Sequence, residues 1–108
     1  MAIYTRYIDG AFSETLAKIH DGILESSLSA SYEDGSDWEE DGVRCAVRVY
    51  ERYSAFGGNR LSLNVTLVGK DGDLFLTGIT SGGSQAVFFK LNTVGEDAFL
   101  ECLVNLFE

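Results

Sequence analysis

The sequence predicts an α+β domain: a single curved antiparallel β-sheet of about five or six strands, two α-helices on one of its faces, and the order β-α-β(4-5)-α. Three observations lead there. Apolar residues recur at helical spacing near each end of the chain, they alternate with polar residues in the middle, and short turns rich in Gly, Asn and Asp separate the alternating runs. Residues 1–108 read as one domain, because no repeat, low-complexity tract or linker composition divides them and the chain holds no proline.

The elements follow in order. A short strand is expected around Ile3 to Ile8. In FSETLAKIHDGILES, Phe12, Leu16, Ile19 and Ile23 fall at spacings of four, three and four, one stripe of a helix. A second strand is placed around Leu28 to Tyr32, followed by an acidic loop in which Glu33, Asp34, Asp37, Glu39, Glu40 and Asp41 crowd together before an Asp41-Gly42 turn. Val43, Cys45, Val47 and Val49 then alternate with Arg44, Ala46, Arg48 and Tyr50, and the valine row is assigned to the helix side. Leu61, Leu63, Val65 and Leu67 alternate in the same way with Arg60, Ser62, Asn64 and Thr66. Gly57-Gly58-Asn59 and Lys70-Asp71-Gly72 supply the turn residues, and LFLTGIT continues the meander. The stretch ITSGGSQAVFF, residues 79 to 89, reads as a bend between two strands, with AVFFKL as the second. TVGEDAFLECLVNLFE closes the chain as a helix, with Thr93 and Glu96 at capping-box spacing and Phe99, Cys102, Leu103 and Leu106 on one stripe.

The runs GVRCAVRVYERYS, GGNRLSLNVTLVG and ITSGGSQAVFF together resemble a family of small, uncharacterised bacterial proteins, chiefly from Gram-positive species, that carry a domain-of-unknown-function label. The similarity extends over nearly the whole chain. It implies a bacterial single-domain protein and brings no catalytic residues with it. In element order the chain is also similar to helix-grip and TATA-binding-protein-like folds, which bind on sheet faces or between sheet and helix, although fold alone does not fix function.

Composition narrows the partners. Seventeen acidic against eight basic side chains give a formal charge of −9, which repels nucleic acid and anionic lipid. No apolar run approaches the ~20 residues of a membrane span, and MAIYTRYIDGAF has no signal-peptide pattern, so a cytoplasmic location is expected. Two cysteines in that setting are expected to be reduced core thiols, Cys45 with Val43 and Val47, Cys102 with Phe99 and Leu103.

The candidate catalytic and metal motifs weaken on inspection. A phosphate loop needs a helix after its glycines, and AVFFKL reads as β; a nucleophile elbow needs G-x-S-x-G, which Gly78-Ile79-Thr80-Ser81-Gly82 does not provide. Asp37, Glu39, Asp41 and Gly42 occupy positions one, three, five and six of a calcium loop, but Arg48 stands where its closing glutamate belongs. His20 is the only histidine, a boundary residue on the first helix, and neither thiol is expected to have a cationic neighbour. No catalytic residue, cofactor or metal ligand is assigned, and the balance leans away from an enzyme.

What remains is the outer sheet face, where Arg44, Arg48 and Arg52 are expected to stand roughly 13 Å apart in successive pairs. With Thr77 and Lys90 taken as outward, Phe75, Ile79 and Phe88 face out too, and an apolar cluster on an open sheet signals something that covers it. The expectation is a binding or interaction domain that self-associates as a homodimer through this face. The alternative is a small apolar ligand held between sheet and helices, as in helix-grip domains.

Overall fold

The computed structural model describes residues 1–54, 59–82 and 89–108, with the backbone alone for 89–93. Its elements are β1 (Ala2–Asp9), α1 (Phe12–Glu25), β2 (Ser31–Glu40), β3 (Val43–Tyr53), β4 (Arg60–Lys70), β5 (Asp73–Gly82) and α2 (Phe89–Val104). The five strands form one antiparallel sheet in the order β1-β5-β4-β3-β2. Both helices lie on the same side, α2 over β1, β5 and β4 and α1 over β4 and β3. This is the α+β architecture expected, with five strands. No helix among the described residues is long and apolar enough to cross a membrane.

Two tight turns set the meander. Asp41 and Gly42 have φ of 52° and 80°, and Asp71 and Gly72 have φ of 53° and 88°. Positive φ at both central residues defines the type I′ hairpin, whose twist matches that of the strands it joins. The turns fix the registers Glu40 opposite Val43 and Lys70 opposite Asp73.

Between sheet and helices, Leu61, Leu63, Val65 and Leu67 of β4 and Leu74 and Leu76 of β5 meet Ile19 and Ile23 of α1 and Phe99, Leu100 and Leu103 of α2. Each such fully buried leucine stabilises the fold by about 2 kcal/mol. Tyr50 is the one large core side chain from β3.

Four sequence expectations are corrected. The acidic stretch is strand β2 itself, not a loop. Asp and Glu are poor strand formers, but β2 is an edge strand with most side chains exposed, and arginines on β3 face its acids. Second, AVFFKL is not a strand as far as it is described: Thr80 to Gly82 end β5, and Phe89 to Leu91 belong to helix α2. The order is therefore strand, glycines, helix, although Gly83 to Phe88 lie outside the described residues. Third, Thr93 and Glu96 fall inside α2 rather than at its start. Glu96 is 5% exposed and pairs with the Met1 ammonium, and its backbone carbonyl accepts a 3.2 Å hydrogen bond from the Thr80 hydroxyl.

The remaining correction is the facing of β3. Tyr50 pairs with Leu63 and Ala46 with Leu67, so the even-numbered residues of β3 share the helix side with the buried leucines of β4. Arg44, Arg48 and Arg52 therefore point toward the helices, and Val43, Cys45, Val47 and Val49 point away. The arginines are accommodated there because their planar heads lie on aromatic rings at the two ends of the row. The Arg44 guanidinium sits 4.2 Å from the Phe12 ring centre and that of Arg52 4.7 Å from Phe99.

Candidate functional site

The molecule offers two surfaces. The first is the sheet face that no helix covers. Strand alternation and register place on it Ile3, Thr5 and Tyr7 of β1, Phe75, Thr77 and Ile79 of β5, and Asn64, Thr66 and Val68 of β4. Beyond them come Val43, Cys45, Val47 and Val49 of β3, then Ser36 and Trp38 of β2. The Tyr7 and Phe75 rings meet at 5.0 Å between centres. None of these side chains is charged. The charges on this face, Asp9, Asp73, Lys70, Glu40, Asp34, Glu51 and Arg60, stand around its margin.

The second surface is a groove on the helix side. α1 lies over β4 and β3 and reaches β2 through the His20–Tyr32 contact, and a cleft of about 390 Å³ opens between Ser13, Leu16, Ala17, His20 and Asp21 of α1 and Tyr32 and Arg48 of the sheet. A smaller one, about 210 Å³, continues beside Phe12, Asp37, Glu39 and Arg44.

At the inner end of the groove, His20 Nδ1 and the Tyr50 hydroxyl share a 2.8 Å hydrogen bond, and Tyr32 meets the His20 ring edge-on with centres 5.2 Å apart. Burial pushes the Tyr50 phenol up to about 12, helped by Tyr32 and the Asp21 carboxylate and opposed by Arg48. Tyr50 is therefore a neutral hydroxyl at ordinary pH.

A β-bulge explains how acids reach this groove. The register slips between Tyr32 and Asp34, so Tyr32 faces the helices, and beyond the bulge Gly35, Asp37 and Glu39 do so as well. Asp37 then accepts two hydrogen bonds from one guanidinium nitrogen of Arg48, at 2.9 and 3.2 Å, while its other terminal nitrogen donates to the Val47 carbonyl at 2.9 Å. Glu39 pairs with Arg44 at 3.3 Å, and Arg60 meets Glu51 at 2.5 Å and Glu33 at 3.4 Å.

Of the residues singled out from sequence, Phe75 and Ile79 share the open face as expected, and Phe88 lies outside the described residues. Arg44, Arg48 and Arg52 do not join them, being on the other side of the sheet. Cys45 belongs to the open face and Cys102 to α2, so the thiols do not meet. Cys102 does have a cationic neighbour: Arg52 donates to its sulfur at 3.5 Å. Sequence reasoning missed the groove because Tyr32 and Tyr50 carry no motif. Their link to His20 exists only once β3 is phased by its pairing with β4.

No curated protein matches the chain. A family model matches it along residues 1–108, the full span of the open sheet, the groove and both helices, and by that match the chain belongs to DUF6054, a family of unknown function.

Proposed function

We propose that this protein is a non-enzymatic, cytoplasmic interaction domain that pairs with a second copy of itself through the open sheet face. The observation that carries this reading is the uncharged centre of that face in a chain with a formal charge of −9. An uncharged centre with apolar flanks and a charged margin resembles the anatomy of an interface, whose core is depleted of charge. Five strands about 4.8 Å apart and about 30 Å long give a footprint of roughly 700 Å², close to the ~800 Å² per partner of a standard interface.

The face is also self-complementary. Asn64 and Thr66 of β4 run along its middle, with Phe75 and Ile79 on one flank and Val47 and Val49 on the other. A two-fold axis along β4 sets the β5 flank of one copy against the β3 flank of its partner, apolar on apolar. Two strongly negative chains can meet in this way without opposing their charges.

Sedimentation velocity with multi-angle light scattering tests the reading. The wild type is expected to be a dimer, and Val47→Glu or Ile79→Glu a monomer with unchanged circular dichroism. A wild type that stays monomeric at high concentration refutes the proposal.

A further inference from the structure

We propose that the groove between α1 and the β2–β3 edge binds a small organic cation, an amine or quaternary ammonium attached to an aromatic or aliphatic body. This is independent of self-association, because the groove and the open face lie on opposite sides of the sheet.

The volume comes first. About 390 Å³ suits a small ligand, at the lower end of the ~300–1,000 Å³ typical of such sites. Leu16 and Ala17 on α1 supply an apolar wall, and Tyr32 stands across from them. Tyr32 is 44% exposed, so its ring is open to a ligand, yet it is held in place by the edge-on contact with His20. Gly35 contributes to that placement: a Cβ there would come within 2.6 Å of the Tyr32 hydroxyl and 2.9 Å of Arg48 Cδ, so both side chains lie across a position that only hydrogen leaves open.

The sign of the ligand follows from the charges. Arg48 is committed, with its terminal nitrogens on the Asp37 carboxylate and the Val47 and Ser36 carbonyls. Arg44 is taken up by Glu39, Ser13 and the Phe12 ring. Asp21 is different: among the described residues no cation lies within ion-pair distance of its carboxylate, and its charge is felt at the Tyr50 phenol. One uncompensated carboxylate beside an open tyrosine ring is a pairing of charge and quadrupole that favours a cation. The net charge of −9 raises the local concentration of such ligands and lowers that of anions.

The test is an amide chemical-shift titration of the intact protein, at constant ionic strength, with benzyltrimethylammonium, benzyl alcohol and phenylacetate. The cation is expected to give saturable shifts confined to residues 13–21 and 32–37, with weaker binding of the alcohol and weakest of the carboxylate. Asp21→Asn, at an exposed position, should weaken binding of the cation about threefold, and Tyr32→Leu by a similar factor. Three outcomes overturn the proposal: no saturable shift with millimolar cation, phenylacetate binding as tightly as the cation, or an Asp21→Asn variant of wild-type affinity. Should Tyr32→Leu fail to fold, the Asp21→Asn comparison still decides.

Discussion

The Tyr50 hydroxyl and His20 Nδ1, 2.8 Å apart, join the one large core side chain of β3 to the middle of α1. Removing the hydroxyl keeps the ring packing and deletes one partly buried hydrogen bond. Tyr50→Phe should therefore cost about 1 kcal/mol, read as a lower urea midpoint with an unchanged slope.

The same hydroxyl gives stability an alkaline limit. In the unfolded chain it loses its proton near the ordinary value of 10.0, whereas in the folded protein it holds the proton until about 12. Between those values the unfolded state binds fewer protons, so stability falls as pH rises through the window, and below it the group contributes no slope. The advantage of wild type over Tyr50→Phe, followed from pH 9 to about 12, should shrink as pH rises and then reverse, because holding the proton to about 12 instead of 10.0 outweighs a hydrogen bond of about 1 kcal/mol. A constant difference would contradict the assignment.

Gly35 is predicted to be intolerant of any side chain. Besides the Tyr32 hydroxyl and the Arg48 stem, a Cβ would come within 2.8 Å of the Val47 carbonyl oxygen, which is backbone and cannot swing aside. Gly35→Ala should cost about 1–3 kcal/mol and change the environment of Tyr32, visible in near-ultraviolet circular dichroism.

The two acid–arginine pairs on β2 and β3 should differ in strength. Arg48 is 16% exposed in its side chain and Asp37 takes two of its hydrogen bonds, whereas Arg44 and Glu39 are 40% and 64% exposed. Asp37→Asn leaves a largely buried guanidinium short of its counter-charge and is expected to cost about 1 kcal/mol, against at most about 0.5 kcal/mol for Glu39→Gln. Thermal unfolding of the two variants under one buffer makes the comparison.

If two copies pair through the open face, Cys45 lies within the contact. Its reaction with a maleimide should then slow as protein concentration rises, while Cys102, on α2, labels at a constant rate. Equal concentration dependence of the two thiols, followed by mass spectrometry, would count against the pairing.

Much of the fold could be read from sequence because local and long-range signals agree there. The leucine row of β4 and the Asp71-Gly72 turn phase β5 without ambiguity, and the apolar stripe of α1 meets the sheet where its spacing says it should. Sequence alone phases β3 the wrong way because both of its rows carry apolar residues: Val43, Cys45, Val47 and Val49 against Ala46 and Tyr50. The valine row is the more hydrophobic, but hydrophobicity assigns a strand to the core only when the other face is wet, and here both faces want cover. The connection from β3 to β4 does not settle the register either, since six residues separate Tyr53 from Arg60 where a two-residue turn would fix the pairing. Acids concealed β2 because strand propensity measures packing, and an edge strand facing arginines needs little of it. The groove inherits both errors: its walls are β2 and the helix side of β3.

The carboxylates along β2 also govern how an assembly of these chains can grow. A sheet edge is a row of unpaired amides and carbonyls that invites another strand, and because this sheet has two edges, β1 and β2, addition at both leaves a free edge at each step and can run on into a fibre. Glu33, Asp37, Glu39 and Glu40 make two β2 edges repel as they approach, so propagation along the hydrogen-bonding direction is blocked there. Association across the sheet face has the opposite property, because a two-fold contact consumes the surface that makes it and stops at two. If two copies do pair through the open face, loss of the acids on β2 would leave the buried leucines in place and open a second direction of growth, so that the end state need no longer be a particle of fixed size.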